Sequence, residues 1–264
     1  MDLTYKRQNV YALADENELK AISEYAEGYK KFLDNGKTER EAVKETVEII
    51  EKRGYKAYTL GDKINAGDKL YYNNRGKSLF IVRAGKADVA KNGIRILVAH
   101  VDSPRLDLKQ VPLYEKADMA YLKTHYYGGI KHYQWLTMPL AIYGVIIRRD
   151  GVKLDIAIGD NPEDPVFCIT DILPHLDVEQ SRKTMREGVR GEKMNVIFGS
   201  RPVAKADDDK DVPQKAKLNI LRMLREAYGI EEEDFVSAEL EVVPAGRARE
   251  LGFDRSMVLG YGQD

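Results

Sequence analysis

Ile94-Arg95-Ile96-Leu97-Val98-Ala99-His100-Val101-Asp102-Ser103-Pro104 is the stretch that decides how the chain reads. Ile94 to Ala99 form a nearly continuous apolar run after the turn pair Asn92-Gly93. Such a run predicts a strand covered on both faces, as in a parallel sheet. His100 and Asp102 follow at its carboxyl end. Two apart in an extended segment, they point the same way. A carboxylate beside an imidazole accepts one ring proton, fixes the tautomer and strengthens the other nitrogen as a metal ligand. Pro104 keeps Ser103 out of the helical region, so the chain turns there. The alternative is a strand-end His capped by its neighbour for turn stability alone.

Upstream, Leu19, Ile22, Tyr25, Ala26, Tyr29, Phe32 and Leu33 recur at helical spacing. Gly36 is expected to end that helix in a left-handed cap. Thr38 with Glu41 predicts a capping box for a second helix, buried through Val43, Val47 and Ile50. Two strand-like runs, Lys69 to Tyr72 and Ser78 to Val82, flank the hairpin signal Asn73-Asn74-Arg75-Gly76.

Downstream, from about Leu106 to Val203, short β-like runs alternate with turn signals. Ala141 to Arg148, Asp150-Gly151 and Val152 to Ile158 predict a hairpin. Asp171 to Arg190 reads as helical or irregular. Ala216, Ile220, Leu221, Leu224 and Tyr228 mark a helix that stops at Gly229. Ala238 to Val243 and Ser256 to Leu259 return to strand character. The layout is therefore α/β, then a β-rich insert, then α/β again, divided as 1–106, 107–236 and 237–264.

The 264 residues carry 42 Lys+Arg against 43 Asp+Glu, a formal net charge of −1. That balance argues against a nucleic-acid partner or a membrane surface, either of which calls for a basic stripe. Cys168 is the single cysteine, which excludes an intramolecular disulfide framework and a cysteine-rich zinc module. Leu140 to Ile147, the longest apolar run, falls far short of the roughly 20 residues of a membrane span. The N-terminus has no signal-peptide pattern, so a cytoplasmic location is expected. No G-x-S-x-G, H-E-x-x-H, Walker or G-x-G-x-x-G motif occurs.

Three further features bear on chemistry. Asp264 is a lone carboxylate just after the strand-like Met257-Val258-Leu259. It reads either as a turn residue or as a metal ligand, because a His and an Asp from neighbouring strand ends can share a divalent ion. Ending there, where α/β folds place their chemistry, suggests a truncated chain. His175 lies in the apolar setting Ile172-Leu173-Pro174-His175-Leu176 and reads either as a core histidine or as a functional one. His125 to Trp135 mixes aromatics, glycines and two histidines, as an aromatic packing loop or one beside substrate. The acidic run Asp207 to Asp211 reads as a solvated turn.

At these residues the sequence resembles the aspartyl-aminopeptidase-like family of dinuclear zinc metallo-aminopeptidases. Ala99 to Lys109 is similar to the family's first metal-ligand motif. Tyr127-Gly128-Gly129-Ile130 with Trp135-Leu136 resembles its glycine-aromatic segment, and Leu173-Pro174-His175-Leu176 its P-H-L segment. Gly262-Gln263-Asp264 is similar to the start of its second ligand motif.

The resemblance implies a zinc-exopeptidase-like mixed sheet with flanking helices, interrupted by a β-rich dimerisation domain. It implies that His100 is a metal ligand, that Asp102 orients it, and that Asp264 bridges two zinc ions. His175 would reach a partner subunit's active site and help hold substrate or the developing oxyanion. The family acts on peptide N-termini and assembles as homo-oligomers, up to dodecamers built from dimers. Zinc is the implied metal, with cobalt or manganese as substitutes for such ligands. The family's catalytic Glu and its remaining ligands follow the bridging Asp. The expectation is therefore an N-terminal part lacking the C-terminal half of the peptidase domain, inactive by itself. The competing expectation is a non-catalytic assembly or binding protein that keeps the dimerisation insert.

Overall fold

The computed structural model describes residues 3–203 and 213–262. The acidic run Asp207 to Asp211 and the expected bridging ligand Asp264 lie outside the described residues.

The N-terminal third is helical and then stranded. After one turn, α1 (Val10–Leu13), comes α2 (Glu16–Asn35). Asp15 starts α2 with a reciprocal box: its carboxylate accepts from Glu18 N at 2.8 Å, and Glu18 accepts from Asp15 N at 3.0 Å. The helix ends at Gly36, but not in the expected left-handed cap, since φ there is −114°. Space is the reason for the glycine. A Cβ would sit 3.0 Å from the Phe32 carbonyl oxygen and 3.3 Å from Ala42 Cα in the next helix, α3 (Glu39–Lys52). The expected capping box at Thr38 is also absent. Its hydroxyl turns to the Glu41 carboxylate and makes no bond to a backbone N–H. Ala42, Val43 and Ile50 of α3 are buried, whereas α2 buries Leu33 and leaves Tyr25 80% exposed.

A three-stranded mixed sheet follows, with β1 (Lys56–Ala57) parallel to β2 (Lys69–Asn74) and β2 antiparallel to β3 (Ser78–Arg83). The β2–β3 hairpin turns where expected, with Asn73 Oδ1 accepting from Gly76 N at 2.7 Å. After the single turn α4 (Val89–Asn92), residues 94–104 form no strand. This corrects the strand expected over Ile94 to Ala99. Ile94, Ile96, Leu97 and Val98 are 67, 69, 100 and 89% exposed. A strand is made by partners that take up its N–H and C=O groups. Among the described residues none pairs with this run, and its apolar pattern records only what it needs covered.

The remaining chain builds a six-stranded antiparallel sheet, in the order β7-β6-β9-β4-β5-β8. Its members are β4 (Arg105–Lys116), β5 (Met119–Tyr127), β6 (Leu140–Ile147), β7 (Lys153–Ile158), β8 (Val196–Gly199) and β9 (Glu239–Pro244). The β6–β7 hairpin is the one expected from Asp150-Gly151. Between β7 and β8, the expected irregular stretch holds two single turns, α5 (Val178–Ser181) and α6 (Met185–Gly188). Helix α7 (Lys215–Tyr228) ends at Gly229 in the left-handed region, as its pattern predicts. β9 lies between β6 and β4, so the sheet takes strands from both sides of the expected boundary at 236/237. A small hairpin of β10 (Arg249–Leu251) and β11 (Met257–Leu259) completes the elements.

One face of the large sheet carries the core. Leu106, Leu122, Leu140, Ile142, Ile156, Val196 and Val242 cluster there with Ile230 and Phe235, against Ile220, Leu221 and Leu224 of α7. On the other face Ala141, Tyr143 and Val243 meet Tyr261. That contact brings the last described residues of the chain to the sheet's second face, beside the start of β4. No helix among the described residues is long and apolar enough to cross a membrane.

Candidate metal and catalytic site

The His100 segment enters the sheet through Arg105, the first residue of β4. His100 is exposed at 82% of its side chain, and its Nδ1 lies 3.2 Å from Asp102 Oδ1. The expected pairing is therefore present. The acceptor is a carboxylate, so the contact favours the tautomer with its proton on Nδ1, which leaves Nε2 free. Asp102 accepts a second bond through Oδ2, from the Tyr127 hydroxyl at 2.6 Å. That bond, helped by the His100 contact, holds the Asp102 carboxyl below the usual aspartate range.

Under this pair sits a buried charge network centred on Arg105. Its guanidinium lies 3.2 Å from Glu39 Oε2, 2.8 Å from Asp107 Oδ1 and 3.0 Å from Glu241 Oε2. Its other face stacks on the Tyr127 ring, 4.2 Å from the centroid. Lys77 reaches Glu39 at 3.3 Å, and Lys77 and Arg40 both pair with Glu239. Burial, reinforced by the charge of Glu39 and opposed by Arg105, pushes the Glu241 carboxyl up to about 8. Burial also raises the Tyr261 phenol.

Tyr261 ties the end of the described chain to the turn before β4. Its hydroxyl donates to the Pro104 carbonyl at 3.0 Å, and its ring meets Trp135 edge-on at 6.5 Å. Lys37 Nζ stands 6.0 Å from the same ring and donates to the Gly246 carbonyl at 2.6 Å. Lys37 is 2% exposed, and burial lowers its pKa. A cleft of about 750 Å³ opens between α2, α3 and the β6–β7 side. Lys30, Lys37, Tyr143 and Asp160 line it, and neither His100 nor Asp102 does.

Two groups of residues fit a cation to different degrees. His100 offers Nε2 with a carboxylate behind its ring, the donor set zinc takes in histidine sites. Glu39, Glu239 and Glu241 place ligand atoms within 4.8 Å of one another, close enough to share an ion. Arg40, Lys77 and Arg105 already supply counter-charge to those three carboxylates.

The other expected site residue, His175, is exposed on the surface of this chain. Its neighbours Ile172, Leu173 and Leu176 are 51, 65 and 73% exposed. Tyr127, Arg105 and Tyr261 were not foreseen as members of this site. A signal for the network existed: Arg105 and Asp107 on β4, and Glu239 and Glu241 on β9, alternate at period two, and Asp107 pairs with Glu241. Charges repeated at that spacing share one face of a sheet.

Comparison with known proteins bears on this arrangement. A family model described as "Aminopeptidase I zinc metalloprotease (M18)" matches residues 32–264. A probable M18 family aminopeptidase 1 from Clostridium acetobutylicum is 49% identical over 267 residues, covering 100% of this chain and 56% of that protein. The crystal structure of an M18 family aminopeptidase from Thermotoga maritima superposes with a TM-score of 0.85 at 43% identity, over 97% of this chain and 54% of that one. The mApe1 dodecamer of S. cerevisiae aligns over 89% of this chain and 51% of its own, with a TM-score of 0.63 at 18% identity, which speaks for the fold alone. The chain thus spans about half the length of the relatives it matches.

Proposed function

Because the chain belongs to the M18 family of aminopeptidase I zinc metalloproteases, we propose that it is the N-terminal part of a metallo-aminopeptidase. The full enzyme would remove residues from peptide N-termini with a dinuclear zinc site. The observation that carries this reading is the 3.0 Å bond from the Tyr261 hydroxyl to the Pro104 carbonyl. It sets Tyr261, three residues ahead of Asp264 in the sequence, against the turn that follows His100 and Asp102, which supports reading the two segments as ligand motifs of one site.

When bound, the zinc pair supplies Lewis acidity towards the scissile carbonyl and an acidified water. This chain's residues do the holding. His100 offers Nε2 as a ligand, and Asp102 keeps the ring in the tautomer that leaves Nε2 unprotonated. Asp264 would be the bridging carboxylate. His175, exposed on its apolar segment, would donate a hydrogen bond to the developing oxyanion in a neighbouring subunit. That role needs a homo-oligomer. The six-stranded sheet from β4 to β9 is the proposed dimerisation unit, and the peptidase sheet is the proposed cover for Ile94 to Val98. Peptides in the cytoplasm are the proposed substrates, with no nucleic-acid or membrane partner.

Three or four protein ligands are needed per zinc, and His100 and Asp264 make two. The chain alone, given zinc, is therefore expected to release no amino acid from a peptide panel. The same chain extended by the remainder of its reading frame is expected to turn over. Turnover by the bare chain refutes the ligand count. An inactive extended protein that still assembles favours the non-catalytic binding reading.

A further inference from the structure

Tyr127 makes a contact that sheet packing does not call for. It ends β5 directly opposite Arg105 of β4 and is 40% exposed. Its hydroxyl nevertheless donates to Asp102 Oδ2 at 2.6 Å, while Oδ1 of the same carboxylate faces His100 Nδ1 at 3.2 Å. The His100 ring is 82% exposed and Asp102 33% exposed. The ring has no walls around it to fix its rotamer, so its orientation rests on the half-covered carboxylate. Side-chain entropy works against holding that carboxylate in place for the sake of one 3.2 Å contact to an exposed ring.

We propose that Tyr127 is a positioning residue: it pins Asp102 Oδ2 so that Oδ1 holds His100 in the Nδ1–H tautomer, with Nε2 presented for metal. This rests on the reading above that His100 is a ligand oriented by Asp102. The pin is itself supported. The Arg105 guanidinium lies 4.2 Å from the Tyr127 ring centroid and is 7% exposed, held by Glu39, Asp107 and Glu241. Gly128 follows at φ +75°, and a Cβ there would lie 3.3 Å from Pro104 Cα and Cβ. Glycine thus lets the chain after Tyr127 close on the turn that carries Asp102. Rigidity passes from buried carboxylates to Arg105, to the phenol ring, to Asp102 and to the exposed imidazole. A ligand on a loop acquires from this the fixed orientation that metal sites take from supporting shells.

The test is the tautomer of the His100 ring in this chain, read from long-range proton–nitrogen correlation spectra at a pH where the imidazole is neutral. Four histidines make the rings assignable by single substitutions. Wild type is expected to show His100 as Nδ1–H. Tyr127→Phe keeps the ring over Arg105 and removes only the hydroxyl. It is expected to move His100 to a mixture containing the Nε2–H form, as Asp102→Ala does, with His125, His132 and His175 unmoved. An unchanged His100 in Tyr127→Phe, alongside a changed one in Asp102→Ala, overturns the role of Tyr127 alone. An unchanged His100 in Asp102→Ala overturns the reading beneath it. A merely structural tyrosine lowers stability and leaves the tautomer alone.

Discussion

Replacing Glu241 with Gln probes the buried charge network where its energetics are most exposed to measurement. Glu241 is 1% exposed, and burial beside Glu39 pushes its carboxyl up to about 8, although Arg105 stands 3.0 Å away. In the unfolded chain the same group titrates near its ordinary 4.5. The folded state therefore holds this proton over a range where the unfolded state has released it. The contribution to stability is full below about 4.5 and is lost progressively as pH rises to about 8. That interval of about three and a half units, at 1.36 kcal/mol each, sets a ceiling near 5 kcal/mol. Glu241 shares its titration with the neighbouring carboxylates Glu39 and Asp107, so the loss assigned to this one group is set below half the ceiling, at about 2 kcal/mol. Glutamine copies the neutral acid in shape and cannot ionise. In urea unfolding at pH 5, 6, 7 and 8, wild type should lose about 2 kcal/mol more than Glu241→Gln across the series. Parallel curves for the two proteins would refute a carboxyl held neutral by burial, and would return Glu241 to an ordinary ionised partner of Arg105.

Leu97→Ser should change the unfolding free energy by less than about 0.5 kcal/mol, because the side chain is fully exposed; in chemical denaturation, a loss of 2 kcal/mol or more would mean that the run is buried after all. Leu122→Ala, at 1% exposure in the main core, should cost about 2–5 kcal/mol by the same measurement. Tyr261→Phe removes the hydroxyl bond to Pro104 and leaves the ring between Lys37 and Trp135, so a loss of about 1 kcal/mol is expected, read as a drop in thermal midpoint. His175→Ala should leave this chain's stability unchanged and, in the complete oligomer, lower kcat roughly 100- to 1000-fold; unchanged turnover would remove His175 from the proposed oxyanion role.

Local chemistry was legible in the sequence where it is decided locally. The turn at Asn73 to Gly76 formed because an Asn side chain and a Gly satisfy it without help from elsewhere. Asp150-Gly151 set the β6–β7 hairpin for similar reasons. The period of α7 and its Gly229 end were equally plain. Partners supplied from a distance were not legible. Ile94 to Ala99 reads as a buried strand, yet its pattern cannot provide the neighbours that bury it. The place of β9 between β4 and β6 is a pairing across more than ninety residues that no turn signal announces. At the candidate site the His100–Asp102 pair was legible, since spacing two apart in extended chain is enough. Its supports were not, because they come from three strands and a helix. Tyr127 reaches Asp102 through the β4–β5 register, and Arg105 finds Glu39 on α3. Thr38 shows the limit from the other side: its spacing to Glu41 suits a capping box, but its hydroxyl bonds the Glu41 carboxylate in place of the backbone.

Zinc anomalous scattering from crystals of zinc-loaded protein, the chain extended by its reading frame, tests the proposed metal centre most directly. A peak about 2.0–2.1 Å from His100 Nε2, and shared with the Asp264 carboxylate, is the expected result. A peak among Glu39, Glu239 and Glu241 with His100 left unligated would contradict it.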